Sequence, residues 1–115
     1  MHEASIAQGI LDVALGALPD PQPKITRIVL VAGVLAGVEK ECLTAYFDEL
    51  ARGTPAEGAS IEIRREPASL ICRTCGATTE YNGAGPVEVT CARCGGPNGL
   101  QGGRALYVDS LEIES

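Results

Sequence analysis

Two stretches of this chain repeat their apolar residues at helical spacing, and three others run as strands. Between residues 5 and 18, Ile6, Ile10, Val13, Ala14 and Ala17 share one helical face, with Leu11 and Leu18 flanking it. Ser5 and Gln8 have capping-box spacing, and Gly16 followed by Pro19-Asp20-Pro21-Gln22-Pro23 closes the segment. Residues 25–31, Ile-Thr-Arg-Ile-Val-Leu-Val, are β-branched and aliphatic and predict a strand. Ala32 to Gly37 extends it, with glycines that permit a bend. A second helix is predicted from Glu39 to Arg52, where Cys42, Leu43, Tyr46, Phe47 and Leu50 form an apolar stripe. That stripe makes Cys42 a buried free thiol. Glu39 and Glu41 suit the amino end of this helix, and Gly53 suits its carboxyl end.

A strand over residues 60–66 follows, with Ile61 and Ile63 inward and Glu62 and Arg64 outward, and Pro67 ends it. The last strand, over residues 104–114, slips phase. Leu106 and Val108 share one parity, whereas Leu111 and Ile113 share the other, so Asp109-Ser110 is a bulge or hand-over point. Asp109, Glu112 and Glu114 then form the solvated face of an edge strand. The order is helix, strand, helix, strand, insert, strand. The fold class is α+β: two helices on a small sheet of about three strands, with a zinc-ribbon-like module inserted between the last two strands. Residues 1–67 and 105–115 form one domain and residues 68–104 the other.

The insert changes the picture most. It holds eight glycines and two prolines between residues 68 and 104 and cannot order itself by apolar burial alone. Four of the five cysteines lie here, as Cys72-x2-Cys75 and Cys91-x2-Cys94. Two intervening residues let a tight turn aim both sulfurs at one point, and Gly76 and Gly95 after each pair suit the turn's positive φ. Four thiolates at about 2.3 Å make a closed structural zinc site, with no position left for water or substrate. Iron with the same four sulfurs is the main competitor, since spacing does not choose the metal.

Composition narrows the function. The 115 residues carry nine Lys/Arg against fifteen Asp/Glu, a net charge of −6, which opposes nucleic-acid binding. Within the insert Tyr81 is the only aromatic available for stacking on bases. The longest apolar run, Ile28 to Val38, is too short to span a bilayer, and residues 1–20 lack a secretory pattern. The expectation is a soluble cytoplasmic protein. It is not an enzyme: there is no nucleophile paired with a base, no second histidine and no phosphate-binding glycine loop.

His2, the only histidine, occupies a special position. The amine of Met1, the amide nitrogen of His2 and its Nδ1 can close successive chelate rings on one metal ion. The amide of Glu3 or an external donor completes a square. Nitrogen-rich planar coordination favours Ni(II) or Cu(II) over zinc. Several motifs then follow in order. They are Met1-His2-Glu3, Gly-Val-Leu-Ala-Gly-Val-Glu over residues 33–39, Gly-Thr-Pro-Ala-Glu-Gly-Ala over residues 53–59, and the paired Cys-x2-Cys-Gly knuckles. Together they resemble the HypA family of hydrogenase nickel-incorporation proteins, over essentially the whole chain.

The resemblance implies a nickel metallochaperone that carries Ni(II) as cargo to the large subunit of [NiFe]-hydrogenase. It also implies a HypB-type GTPase partner and a two-part nickel-binding and zinc-binding architecture. By the same resemblance, nickel sits on His2 with backbone groups of Met1 to Glu3, and zinc on Cys72, Cys75, Cys91 and Cys94. Some relatives offer a histidine after the second knuckle, where this chain has Gly95-Gly96-Pro97-Asn98-Gly99. The fourth nickel ligand is therefore a backbone nitrogen or a partner's group. Oligomeric state stays open, a homodimer included. The alternative readings are a zinc-ribbon adaptor, a nucleic-acid-binding module without nickel delivery, or a rubredoxin-like electron carrier.

Overall fold

The structure, a computed structural model, describes residues 3–114. The elements in chain order are α1 (Glu3–Gly16), β1 (Lys24–Gly33), α2 (Lys40–Leu50), β2 (Ser60–Glu66), β3 (Ala68–Cys72), β4 (Thr78–Tyr81), β5 (Asn98–Gly102) and β6 (Leu106–Glu114). They make two three-stranded sheets, ordered β2-β1-β6 and β4-β3-β5. The fold is therefore the α+β arrangement read from sequence, with the second sheet inserted between β2 and β6. The chain divides into two compact units. One takes the chain up to Val31, Val38–Arg64 and the chain from Tyr107 onward; the other takes Ala32–Gly37 and Arg65–Leu106. The second unit thus includes Ala32–Gly37, which the apolar pattern predicts as an extension of the first strand.

In the first unit the core gathers Ile25, Ile28 and Leu30 of β1 with Leu43 and Phe47 of α2, all fully buried. From α1 it takes Ala7, Ile10, Leu11 and Ala14. This stripe differs from the sequence reading. Val13 lies roughly 100° round the helix from its centre and is 58% exposed. Helix α1 already includes Glu3, so Ser5 sits inside its first turn, and Gln8 donates to Asp12 instead of closing a capping box. Helix α2 starts where Glu39, in extended backbone (φ −111°, ψ 123°), accepts the N–H of Cys42 at 3.1 Å. That bond satisfies one of the orphan donors of the first turn.

The α2 stripe is also narrower than expected. Leu43, Phe47 and Ala51 recur at every fourth residue and are buried. Cys42 falls about 140° from their mean direction and is exposed, not buried. Tyr46 is turned outward for the same reason.

Strand β1 is central, and both parities of its last part, Ile28 to Ala32, are buried. On the polar face Arg27 bridges Glu62 of β2 and Glu112 of β6, and Arg64 approaches both Glu62 and Asp109. Asp109 and Glu112 are three residues apart yet reach one cluster, and Val108 and Leu111, also three apart, are the half-buried positions of β6. A regular pleat would place such pairs on opposite faces. The phase slip read from sequence is therefore present in the strand.

In the second unit β3 pairs antiparallel with both neighbours, Leu70 facing Thr79 on one side and Leu100 on the other. Residues 33–35 are tied in by Gly33 N–H to Ala105 O at 2.7 Å, Leu35 N–H to Gly103 O at 2.7 Å and Val34 N–H to Glu66 O at 2.9 Å. Only glycine fits at position 33, where a Cβ would stand 2.1 Å from the Gly103 carbonyl oxygen.

Candidate metal centre

Two short turns build the centre. After β3, Cys72 and Cys75 occupy a knuckle closed by Gly76 N–H to Cys72 O at 3.0 Å, with Gly76 at φ +77°. The second knuckle repeats this with Gly95 N–H to Cys91 O at 2.9 Å and Gly95 at φ +80°. Each φ lies in the left-handed region that glycine adopts without steric cost. The knuckles are joined by Arg73 N–H to Pro97 O at 2.9 Å. Gly96 packs closely against the first knuckle: a Cβ there would lie 2.6 Å from Thr74 Oγ1 and 3.3 Å from Cys72 Sγ. The Cys-x2-Cys-Gly pattern points to Gly76 and Gly95 but not to Gly96, whose only local signal is the Gly95-Gly96 doublet.

The four sulfurs of Cys72, Cys75, Cys91 and Cys94 all lie within 4.8 Å of one another. Cys72 and Cys94 are 3.5 Å apart, and Cys75 and Cys91 are 3.8 Å apart. A tetrahedron with metal–sulfur bonds of about 2.3 Å has sulfur–sulfur edges of about 3.8 Å, so the donor set fits a tetrahedral thiophilic ion. Cys72 and Cys91 are buried, whereas Cys75 and Cys94 are exposed.

Backbone donors prepare the sulfurs for charge. The N–H groups of Cys75 and Thr74 both point at Cys72 Sγ at 3.4 Å and bring its thiol down to about 6. Cys91 is lowered by the N–H groups of Cys94 and Arg93. The N–H of Gly96 lowers Cys94, but the neighbouring Cys72 and Cys75 groups outweigh it and push the thiol up to about 12. Four sulfurs this close cannot all ionise unless a cation shares the charge. The four sulfurs could hold a metal ion, and an ion bound by all four would have no open position.

The candidates at the amino terminus divide. His2 and Met1 lie outside the described residues. Glu3 opens α1. Cys42 is not a member of the sulfur cluster, the one group of three or more side chains that could hold a metal among the described residues. Its thiol is pushed up, first by its hydrogen bond to the Glu39 carboxylate and then by the charge of Glu39. Among the described residues no helix is long and apolar enough to cross a membrane.

Comparisons with known proteins converge. The hydrogenase maturation factor HypA of Rhodobacter capsulatus is 38% identical over 115 residues, covering 98% of this chain and 99% of that protein. That of Caldanaerobacter subterraneus subsp. tengcongensis is 33% identical over 117 residues, covering 99% and 100%. The fold matches the solution structure of the Ni metallochaperone HypA from Helicobacter pylori with a TM-score of 0.60, at 20% identity and covering 98% of this chain and 97% of that one. Residues 1–113 match the family described as hydrogenase/urease nickel incorporation, metallochaperone, HypA. With its four-cysteine centre and inserted three-stranded module, this chain belongs to the HypA family of nickel-incorporation metallochaperones.

Proposed function

We propose that the chain binds Ni(II) at its amino terminus and hands it on for maturation of [NiFe]-hydrogenase, while the four cysteines hold a structural zinc ion. The observation that carries this reading is the family match over residues 1–113, which takes in both Met1-His2-Glu3 and the four-cysteine centre. The two sites suit different metals. Four thiolates in a closed tetrahedron suit a resident zinc ion, whose bonds cross-link a glycine-rich unit. Nitrogen donors in a plane suit nickel.

With Met1 as the mature first residue, its amine, the His2 amide nitrogen, His2 Nδ1 and the Glu3 amide supply four nitrogens. A site on the first residues of a chain is open to a partner, so nickel leaves by ligand exchange at an exposed edge. Binding needs neutral imidazole and the loss of amine and amide protons, so affinity falls as pH falls. In this reading the unit containing both helices is the nickel-binding domain, and the inserted unit is the zinc-binding domain. The recipients are a HypB-type GTPase and the hydrogenase large subunit, in the cytoplasm. Nickel titration of the untagged protein and its His2→Ala variant tests the site: the variant should lose tight nickel binding and keep its zinc. Equal nickel affinity in both proteins would refute it.

A further inference from the structure

The two knuckles are near-repeats, yet their sulfurs are not equivalent. Cys72, first in its pair, accepts the backbone N–H groups of Thr74 and Cys75, and Cys91, first in the other pair, accepts that of Arg93. Cys94, second in its pair, accepts the N–H of Gly96 at 3.4 Å. The corresponding donor for Cys75 would be Ala77, and no such bond is made. Among the described residues the only hydrogen-bonding partners of Cys75 Sγ are other sulfurs of the cluster, with Cys91 Sγ at 3.8 Å. Cys75 is also one of the two exposed cysteines of the cluster. An N–H donor holds electron density on a thiolate and weakens it as a nucleophile, and burial shields it from reagents. Cys72 and Cys91 have both protections, Cys94 has one, and Cys75 has neither.

We infer that Cys75 is the reactive sulfur of the centre, the residue that soft electrophiles and peroxides modify first. The chemistry balances with a peroxide as oxidant. The Cys75 thiolate attacks one peroxide oxygen, the O–O bond breaks, and hydroxide leaves a sulfenic acid on Cys75. The Cys91 thiolate then attacks that sulfur, forms the Cys75–Cys91 disulfide and expels a second hydroxide. Two thiolates lose two electrons, the peroxide gains them, and both hydroxides take up protons as water. The disulfide would remove two of the four sulfurs that would hold the ion, which would then be released. Cys75 thereby becomes a modification site through which the inserted unit loses its cross-link.

The inference rests on the tetrathiolate holding zinc as proposed above, so zinc content of the full-length protein is measured first and reports on that reading separately. The zinc-loaded protein is then treated with substoichiometric N-ethylmaleimide and digested with trypsin. Cleavage after Arg65, Arg73, Arg93 and Arg104 places Cys72 and Cys94 on separate peptides and Cys75 with Cys91 on a third, where fragmentation tells them apart. One missing hydrogen bond to a weakly accepting sulfur corresponds to about fivefold in rate, so Cys75 should label about fivefold faster than Cys94. Hydrogen peroxide should release zinc and leave the 74–93 peptide lighter by two hydrogens. A Cys75→His variant, which keeps a zinc ligand, should release zinc about fivefold more slowly, the rate left to Cys94, whereas Cys94→His should stay within about twofold of the parent. Equal labelling of Cys75 and Cys94, or faster labelling of Cys94, overturns the inference. The wild-type labelling pattern decides the matter even if neither variant folds.

Discussion

Replacing Gly33 by alanine tests how the second unit is tied together. The new Cβ would stand 2.1 Å from Gly103 O, 2.2 Å from Gly103 C and 2.7 Å from Arg104 N, all backbone atoms without rotamers to move aside. Real Cβ contacts do not come closer than 3.0 Å, so the two segments must part by nearly an ångström. The bonds from Gly33 to Ala105 and from Leu35 to Gly103, both 2.7 Å, would stretch to about 3.6 Å, outside hydrogen-bonding range. Each contributes about 0.5–1.5 kcal/mol net, and a buried donor left unmade costs about 1–3 kcal/mol. Against this, alanine lowers the entropy of the unfolded chain, a gain of roughly 0.5–1 kcal/mol. With two donors left unmade, less that gain, the net loss is about 1–5 kcal/mol, read by urea unfolding of the zinc-loaded protein with far-UV circular dichroism. Amide exchange at residues 33 and 35 should speed up in parallel. A Gly33→Ala protein within about 0.5 kcal/mol of the parent would show that this close approach is not a structural requirement.

Two further outcomes follow from the local geometry. Gly96→Ala places a Cβ 2.6 Å from Thr74 Oγ1 and 3.3 Å from Cys72 Sγ, so the knuckles must separate and zinc should leave faster to a competing chelator, whereas unchanged release would contradict the packing. Glu39 is held below its ordinary value of 4.5, first by the Cys42 thiol and then by the Cys42 N–H. Its contribution is therefore present above that value and lost as pH falls through the lower folded one. The parent should melt above Glu39→Gln at neutral pH, the gap closing in acid, and a gap that widens in acid would refute the assignment.

The order of elements was legible because each carries its own period and punctuation. Strand β1 is β-branched, α2 begins at a carboxylate cap, and the Cys-x2-Cys-Gly pairs name the knuckles. Misplaced side chains have a common physical cause. Apolar residues spaced at three and four fit more than one helical face, and only packing selects Ala7, Ile10, Leu11 and Ala14 over Val13, or Leu43 and Phe47 over Cys42 and Tyr46. Ala32–Gly37 belongs with the second unit through backbone bonds to residues 66, 103 and 105, partners far off in sequence that no local pattern reveals. The slip in β6 was visible because parity is local: the apolar residues change from even to odd across Asp109-Ser110, and the structure places Asp109 and Glu112 in one ion-pair cluster. The sulfur cluster was visible as spacing. Its unequal hydrogen bonding was not, because donors such as Gly96 N–H depend on turn geometry rather than residue type.

The most direct measurement compares nickel uptake by two zinc-loaded proteins, one starting at Met1 and one extended by a single residue before it, against a competing chelator. An added residue moves the free amine away from His2 and leaves every cysteine untouched. The account predicts tight nickel binding by the first protein only, with equal zinc in both. Equal nickel uptake by both, or nickel gained only as zinc is lost from the cysteines, would contradict it.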